Sequence, residues 1–418
     1  MNKYKLILLI IPVLLCSCSG IGAKKNKNIV ELTPKLLLES NEAILLESSG
    51  KPVIFDPKMF KNQEFSIASK KIIAKPVFNK GVIYVVDANG TVSAFSTKNK
   101  KILWSRNISS NQSNNSYLGG GILCHDGKVY VTYGSRFLVI LNSDSGNEII
   151  RKELPDIIRT NPVLINNRMI AIQTVSNQVF AIDINNLNIV WQHESLAETL
   201  SSSYHVAPIV VGEKVIVNYN SGQIFSLNAN NGEVLWNNNL SNPLDIGIPN
   251  YDNASVLCEP IVNYPYLYLA HSAGKIVKFD LNNGNVIWQI KAEDIQSMSL
   301  AGNSLLVTNN ALQFVVISTN SGKVKFAADL KEEQGSKKIK ANSFLPPIVS
   351  NADNEGLAVY IISSRGQLYS FKVEKNGKLA GSPAITPIPA KIVYSGVTCC
   401  NKVYFTTERK IILAESKK

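Results

Sequence analysis

Residues 75–104 read KPVFNKGVIYVVDANGTVSAFSTKNKKILW, and this stretch decides the fold because close variants of it return along the chain. Further clear copies begin at Asn161, Ala207 and Glu259, and each runs from an x-Pro-apolar-apolar start to a closing tryptophan. The prolines are Pro76, Pro162, Pro208 and Pro260, and the tryptophans are Trp104, Trp191, Trp236 and Trp288. A pattern that returns at a fixed period indicates a repeat architecture, in which one structural unit is used many times.

Weaker copies fill the gaps between the clear ones. Two of them replace the closing tryptophan, one by Ile150 and the other by Phe326. Two further units start at Pro347 and Ser395, and the last one stops before its closing segment. The chain therefore contains eight unit starts.

Each unit holds short apolar runs that are separated by turn residues. In the copy from Ala207 these runs are residues 215–217, 224–227 and 234–236, with Gly and Asn between them. Such runs predict antiparallel strands, and no long stretch after residue 50 keeps a helical period. Units of about 40–50 residues with four strands are typical of β-propeller blades, which bury both faces only by stacking in a ring. We expect an all-β, eight-bladed β-propeller of four-stranded antiparallel blades.

The incomplete last unit needs a fourth strand from elsewhere in the chain. Residues 63–69 stand just before the first proline copy, where a fourth strand would lie. We therefore expect this N-terminal strand to close the last blade, so that the propeller spans residues 63–418.

The first residues have the pattern of an export signal. Residues 1–18 read MNKYKLILLIIPVLLCSC, with Lys3 and Lys5 before an apolar stretch. This stretch is shorter than the roughly 20 apolar residues of a membrane span, so we expect residues 1–17 to be a signal peptide. Residues 18–62 would then be the N-terminus, tether and irregular lead-in.

The Leu-x-Ser-Cys ending of the signal resembles a bacterial lipobox. The resemblance implies that Cys18 becomes the lipid-modified first residue of the mature protein. An ordinary signal peptide that is cut a few residues later is the alternative. Ser19 after the cysteine implies, by the same resemblance, the outer membrane rather than the inner one. The expected location is the periplasmic face of the outer membrane, with contact to the membrane through the lipid anchor.

Charge and cysteine usage exclude several classes of function. The net charge is +12, but beyond the first residues the lysines are scattered, without the clustered basic and aromatic residues of a nucleic-acid interface. The cysteines outside the signal and anchor are Cys124, Cys258, Cys399 and Cys400. They fit neither a disulfide scaffold nor a zinc site, and no histidines stand at metal-ligand or triad spacing. We expect no catalytic residues, no metal, no cofactor and no nucleic-acid partner.

The stretch from Ala181-Ile182-Asp183 to Trp191 resembles the pyrroloquinoline-quinone-type propeller repeat. The resemblance implies that each tryptophan lies flat across the interface to the next blade. Two kinds of protein use this repeat: quinoprotein dehydrogenases, and the BamB family of lipoproteins in the outer-membrane β-barrel assembly machinery. The chain length, the lipobox and eight blades with short connections resemble the BamB family.

A quinoprotein-type dehydrogenase of the periplasm is the alternative function. Such an enzyme needs Ca²⁺ held by converging oxygen ligands, and a general base near the substrate. The adjacent pair Cys399-Cys400 is similar to the cysteine ring of some quinoproteins, but here it falls at a turn in the last blade. A propeller lipoprotein of another envelope complex is a further alternative.

Resemblance to the BamB family implies a non-catalytic scaffold that docks on the barrel-inserting subunit BamA and assists unfolded outer-membrane proteins. The family contact in a middle blade matches Leu200, although Ser202 and Ser203 replace a leucine and an arginine. In the next interblade loop Ser255 and Leu257 replace two aspartates, and Tyr204 is the neighbouring aromatic candidate. These six are the expected partner-binding residues, namely Leu200, Ser202, Ser203, Tyr204, Ser255 and Leu257.

The lipobox can be tested with Cys18→Ala. We expect the variant to lose lipid label and to appear as soluble or uncleaved protein, because no other cysteine follows a Leu-x-Ser. Labelling of cells with a palmitate analogue measures the change. Equal label in the variant and the parent would refute the assignment.

Overall fold

The computed structural model describes residues 63–109, 117–195, 206–240, 256–272, 274–330, 343–352, 356–373, 378–379, 381–399 and 402–415. Within these ranges the chain has strands and no helix, and the strands form eight four-stranded antiparallel sheets. These sheets are the blades of an eight-bladed β-propeller, so the fold expected from the repeats is confirmed.

The strands of blades 1 to 4 are β2 (Val77–Asn79), β3 (Val82–Val86), β4 (Thr91–Ser96), β5 (Lys101–Asn107), β6 (Gly121–His125), β7 (Lys128–Thr132), β8 (Ser135–Asn142), β9 (Glu148–Ile158), β10 (Val163–Asn166), β11 (Met169–Gln173), β12 (Gln178–Asp183), β13 (Ile189–Glu194), β14 (Ile209–Val211), β15 (Lys214–Asn218), β16 (Gln223–Asn228) and β17 (Val234–Asn239). Those of blades 5 to 8 are β18 (Ile261–Asn263), β19 (Tyr266–His271), β20 (Lys275–Asp280), β21 (Val286–Lys291), β22 (Ile295–Ala301), β23 (Ser304–Asn309), β24 (Gln313–Ser318), β25 (Val324–Asp329), β26 (Ile348–Ala352), β27 (Gly356–Ser363), β28 (Gln367–Lys372), β29 (Ala384–Pro387), β30 (Tyr394–Cys399), β31 (Lys402–Thr406), β32 (Lys410–Glu415) and, from the start of the chain, β1 (Glu64–Ser66).

Blade 8 is closed by the N-terminal strand, as the incomplete last repeat predicted. Strand β1 pairs antiparallel with β32, and Phe65 lies opposite Ile411 in the register. The Phe65 ring also lies 5.1 Å from the ring of Phe95 in blade 1, measured between centroids. The first strand of the fold therefore joins the last blade and contacts the first, which closes the ring.

The ring has two distinct faces because the four strands of each blade alternate in direction. The connections from one blade to the next and the turns between second and third strands lie on one face, which we call the loop face. The turns between first and second strands and between third and fourth strands lie on the other, which we call the turn face. The first strand of each blade is innermost, and the fourth is outermost.

The hydrophobic core is divided into eight clusters, one at each interface between neighbouring blades. The second and third strands supply most of these side chains and are almost fully buried, as in β3 and β24. The outermost strands are mostly exposed. A blade thus buries both faces only between two neighbours, which is why the repeat needs a closed ring.

Four interfaces share one contact, made by a tryptophan and the glycine of the next blade. Each indole Nε1 donates a hydrogen bond of 2.9–3.0 Å to a backbone carbonyl in the 3–4 turn of the following blade. The glycine of that turn lies against the indole: a Cβ placed on Gly232 would be 2.8 Å from atoms of the Trp191 ring. The same glycines have positive φ, a backbone conformation that residues with a side chain rarely adopt. The backbone conformation and the closeness of the indole therefore both require glycine.

The interface between blades 2 and 3 is packed without an indole and without the turn glycine. Ile150 stands at the tryptophan position, and the glycine position of blade 3 is occupied by Leu187, with φ of 59°. The Leu187 side chain is buried in the cluster between these blades, together with Ile140 and Leu154. Loss of the indole on one side is therefore accompanied by a larger side chain on the other, which fills the space.

Substitution of Gly232 tests the indole–glycine contact, with Gly212 in the same blade as a matched control. Both glycines have positive φ, but a Cβ on Gly212 meets nothing within 4 Å. Gly212→Ala should cost about 1 kcal/mol for the backbone alone, and Gly232→Ala about 2–4 kcal/mol because the ring must also move. Urea unfolding measures both. Equal losses would show that the contact contributes nothing beyond the φ requirement.

Candidate functional site

The loop face is the candidate site because it carries the longest connections between blades. The predicted residues Leu200, Ser202, Ser203, Tyr204 and Ser255 lie on these connections, outside the described residues. Leu257 is described, and it is half-buried just before the first strand of blade 5. Its backbone N–H donates to the carbonyl of Ala270 over 2.9 Å, and its side chain packs against the cluster between blades 5 and 6. Of the six predicted partner-binding residues, the structure therefore describes Leu257 alone.

The mouth of the central channel on this face is crossed by an ion pair. Lys75 precedes the innermost strand of blade 1 and Glu259 precedes that of blade 5, and these blades are opposite in a ring of eight. The Lys75 Nζ lies 2.9 Å and 3.2 Å from the two carboxylate oxygens of Glu259. Both side chains are more than half exposed, so the pair contributes little to stability. The two side chains nevertheless extend across the channel mouth and narrow it.

In blade 1 a buried polar residue follows the second strand on this face and organises the turn after it. This residue is Asp87, whose Oδ1 accepts from the backbone N–H groups of Asn89 and Thr91, both at 3.0 Å. Its Oδ2 accepts from Ser69 Oγ and from the N–H of Lys70, which ties down the connection after β1. The buried carboxylate is thereby fully hydrogen-bonded, as a buried charge requires.

Blade 5 has His271 at the same turn position, and its surroundings are different. The side chain is completely buried, and neither Nδ1 nor Nε2 has a hydrogen-bond partner among the described residues. Burial, with a smaller effect from the charge of Lys275, lowers the pKa of His271 to about 4. The imidazole is therefore neutral near pH 7. Its burial lowers the stability of the fold, because buried polar atoms ordinarily form hydrogen bonds.

Two further groups that could carry chemistry are inert in their present surroundings. Burial raises the pKa of the Cys124 thiol and of the Cys258 thiol to about 12, so that neither is a thiolate near neutral pH. Cys399 ends β30, at the turn that the sequence predicted, and Cys400 lies outside the described residues.

His193 and Tyr219 form a contact across the interface between blades 3 and 4. The His193 Nδ1 lies 2.8 Å from the Tyr219 hydroxyl, and the rings are stacked. Burial lowers the pKa of His193 and raises that of Tyr219. The pair is packed between blades, and sequence reasoning missed it because its members belong to different repeat units.

Comparison with known proteins places the chain in a family. The sequence profile of the family described as "Outer membrane protein assembly factor BamB" matches residues 106–326 and 252–408, which together cover most of the ring. The chain belongs to the BamB family. An uncharacterized protein of Rickettsia conorii is 50% identical over 409 residues, which is 98% of either chain.

Solved structures of similar fold include both kinds of protein that use this repeat. BamB from Moraxella catarrhalis superposes with a TM-score of 0.66 and 15% identity, over 84% of this chain and 98% of that one. A quinohemoprotein alcohol dehydrogenase from Comamonas testosteroni gives 0.62 and 10%, over 85% of this chain and 76% of that one. At such identities the likeness shows the fold alone, so it does not separate an assembly factor from a dehydrogenase.

The side chains of the described ring do not fit the Ca²⁺ that the dehydrogenase likeness implies. Ca²⁺ takes six to eight oxygen ligands. In the ranges given above, no three His, Cys, Asp or Glu side chains come together in a way that could hold a metal ion. At the channel mouth, the Glu259 carboxylate is already paired with Lys75.

In the described ranges, no helix has the length and hydrophobicity to cross a bilayer.

The buried histidine makes the stability of the ring depend on pH. The unfolded chain takes up a proton near pH 6.5, whereas folded His271 does so only near pH 4. The unfolded state thus binds more protons between these values, and stability falls as the pH falls through this window. The loss should reach about 2 kcal/mol by pH 5.

Urea unfolding at pH 7.5 and pH 5.0 measures this loss. His271→Asn should remove most of this loss, because the asparagine side chain does not titrate. Asparagine suits the position, since Asn309 occupies the same place in blade 6. His125→Asn, at the turn after β6, is the control and should keep the parent's loss. An unchanged pH dependence in His271→Asn would assign the effect to other groups.

Proposed function

We propose that this protein is a non-catalytic scaffold of the outer-membrane β-barrel assembly complex, anchored by lipid at the periplasmic face of the outer membrane. In this role it docks on BamA and assists the delivery and insertion of unfolded outer-membrane proteins. The observation that carries the proposal is the match of the BamB family profile to residues 106–408, which spans nearly the whole ring.

The geometry of the ring suits a scaffold. Eight interlocked blades make a rigid frame, and the connections on the loop face form one broad surface whose residues are free to vary. The channel mouth in that surface is barred by Lys75 and Glu259, so a partner would contact the rim of the face and the loops. The exposed outermost strands have unpaired edges, to which an extended client strand could add.

A quinoprotein-type dehydrogenase is the second candidate, favoured by the fold likeness to the alcohol dehydrogenase. Its test is the absorbance spectrum of the purified protein after addition of the quinone and Ca²⁺. A bound-quinone spectrum with dehydrogenase activity would establish the enzyme and overturn the scaffold proposal.

The decisive experiment for the scaffold is a crosslinked pull-down of the full lipidated chain from native membranes. Recovery of BamA supports the proposal. Recovery of a different envelope complex without BamA would assign the propeller to that complex instead.

The docking residues are proposed to be Leu200 and Tyr204, with Ser202, Ser203, Ser255 and Leu257 around them. We expect Leu200→Ala combined with Tyr204→Ala to reduce co-purified BamA by at least about tenfold, since truncated aromatic anchors commonly cost 1–2 kcal/mol or more. The thermal melt should not change, because the interblade loops lie outside the packed sheets.

A control variant on the turn face distinguishes docking from general damage. Leu235→Ala combined with Tyr264→Ala removes an exposed aliphatic and an exposed aromatic side chain of similar size. This control should retain the parent's BamA recovery. Undiminished recovery with the loop-face variant would exclude this surface as the contact.

A further inference from the structure

The outermost strands of the tryptophan blades expose a pair of adjacent apolar side chains. In blade 1, Trp104 lies opposite Ala94 and Ile102 lies opposite Phe95, so Leu103 is the extra residue of a β-bulge. Ile102 and Leu103 are 41% and 45% exposed, and no described strand pairs with the outer side of β5. The same pair recurs at Ile189/Val190, Val234/Leu235 and Val286/Ile287. Blade 1 thus exposes two adjacent apolar side chains at the start of its outermost strand, close to the turn face.

Blade 1 differs from the other tryptophan blades in the charges beside this pair. Its turn-face residues include Lys80, Lys98, Lys100 and Lys101, with no carboxylate in either turn. Hydrogen bonds from Thr97 N and Oγ1 to the carbonyl of Gly81, at 2.9 Å and 2.8 Å, hold the two turns together. The corresponding turns of blades 4 and 5 are rich in asparagine, as in Asn230-Asn231 and Asn282-Asn283. The combination of an apolar pair and a lysine cluster is therefore specific to blade 1 among them.

The described chain begins at this place. Strand β1 runs antiparallel to β32 from Glu64 at the turn face to Ser66, so the first described residue, Gln63, lies at the turn face. The side-chain oxygen of Gln63 accepts a hydrogen bond from Lys100 Nζ. Gln63, the residue that follows the undescribed N-terminal segment, therefore lies beside the lysine cluster.

The sequence of that segment complements the surface. Residues 31–47 read ELTPKLLLESNEAILLE, with four glutamates against one lysine and two runs of three aliphatic residues. The stretch from residue 48 to residue 62 can extend by up to roughly 50 Å, which is ample to fold back onto the neighbouring blade. The segment thus has aliphatic side chains to match the exposed apolar pair of blade 1 and glutamates to match its lysines. The linker is long enough to bring them together.

We propose that residues 31–47 dock on the outer edge of blade 1, with their aliphatic side chains on Ile102 and Leu103 and their glutamates beside Lys80, Lys98 and Lys101. The segment covers the apolar pair of the one tryptophan blade that is ringed by lysines. Docking there keeps the segment off the loop face, which stays open for a partner. The contact itself does not depend on the proposed function.

A photocrosslinking experiment on the full chain tests this contact. In the soluble Cys18→Ala protein, p-benzoylphenylalanine replaces Leu103 in one sample and Leu235, its equivalent in blade 4, in another. We expect mass spectrometry to find an intramolecular crosslink from position 103 to residues 31–47, and none from position 235.

Charge reversal tests the lysines. Lys98→Glu combined with Lys101→Glu should reduce the crosslink about tenfold, because two attractions become repulsions of similar size. Adding Glu39→Lys and Glu42→Lys should restore it, which a merely unfolded variant would not do.

Three results would overturn the proposal. Equal crosslinking at positions 103 and 235, or none at 103, would show no preference for blade 1. Crosslinks between two chains at 103 would make the surface a contact between copies. Crosslinking of 103 to lipid in vesicles with anionic headgroups, with residues 31–47 left unlabelled, would assign the surface to the membrane.

Discussion

The contact between an indole and the glycine of the next blade is the constraint on which the rest of the structure depends. A four-stranded sheet with two apolar faces has no stable existence alone, so each blade must be held against two others at a set angle. The tryptophan does this with its ring and with its N–H, which donates to the turn of the next blade. Because the glycine leaves no side chain between them, the two blades approach closely and in one orientation.

The departures from this contact explain why the ring is not symmetric. Between blades 2 and 3, Leu187 enters the interface where blades 2, 4, 5 and 6 have glycine, and Ile150 stands in place of the tryptophan. At the closure, β1 from the start of the chain is the fourth strand of blade 8, and Phe65 packs on Phe95 of blade 1. Each departure pairs a loss on one blade with a gain on its neighbour, so the packing remains continuous around the ring.

The asymmetry also distinguishes the two faces. On the loop face, Asp87 is buried and fully hydrogen-bonded, while His271 is buried without a hydrogen-bond partner in the described part of the chain. On the turn face, blade 1 alone among the tryptophan blades combines exposed aliphatic side chains with several lysines. The proposed function assigns the loop face to a protein partner, and the proposed docking of residues 31–47 assigns the turn-face side of blade 1 to the chain itself.

The number of blades, their strand order and the closure by residues 63–69 could be read from the sequence, because period, turn residues and an unfinished last copy are local features. The family resemblance was also readable, since its motif runs from Ala181 to Trp191 within one unit. The candidate docking residues were readable only by resemblance, and all except Leu257 lie outside the described residues.

Only the tertiary structure decided what depends on two units at once. Four glycines, Gly146, Gly232, Gly284 and Gly322, each stand four residues before the closing residue of their own unit, but each one contacts the tryptophan of the preceding blade. The pairing of Lys75 with Glu259 joins positions far apart in sequence that become opposite only when eight blades close. The isolation of His271 likewise follows from what surrounds it and not from its place in the repeat. A repeating sequence specifies the unit and its neighbours, whereas contacts across the ring arise only from its closure.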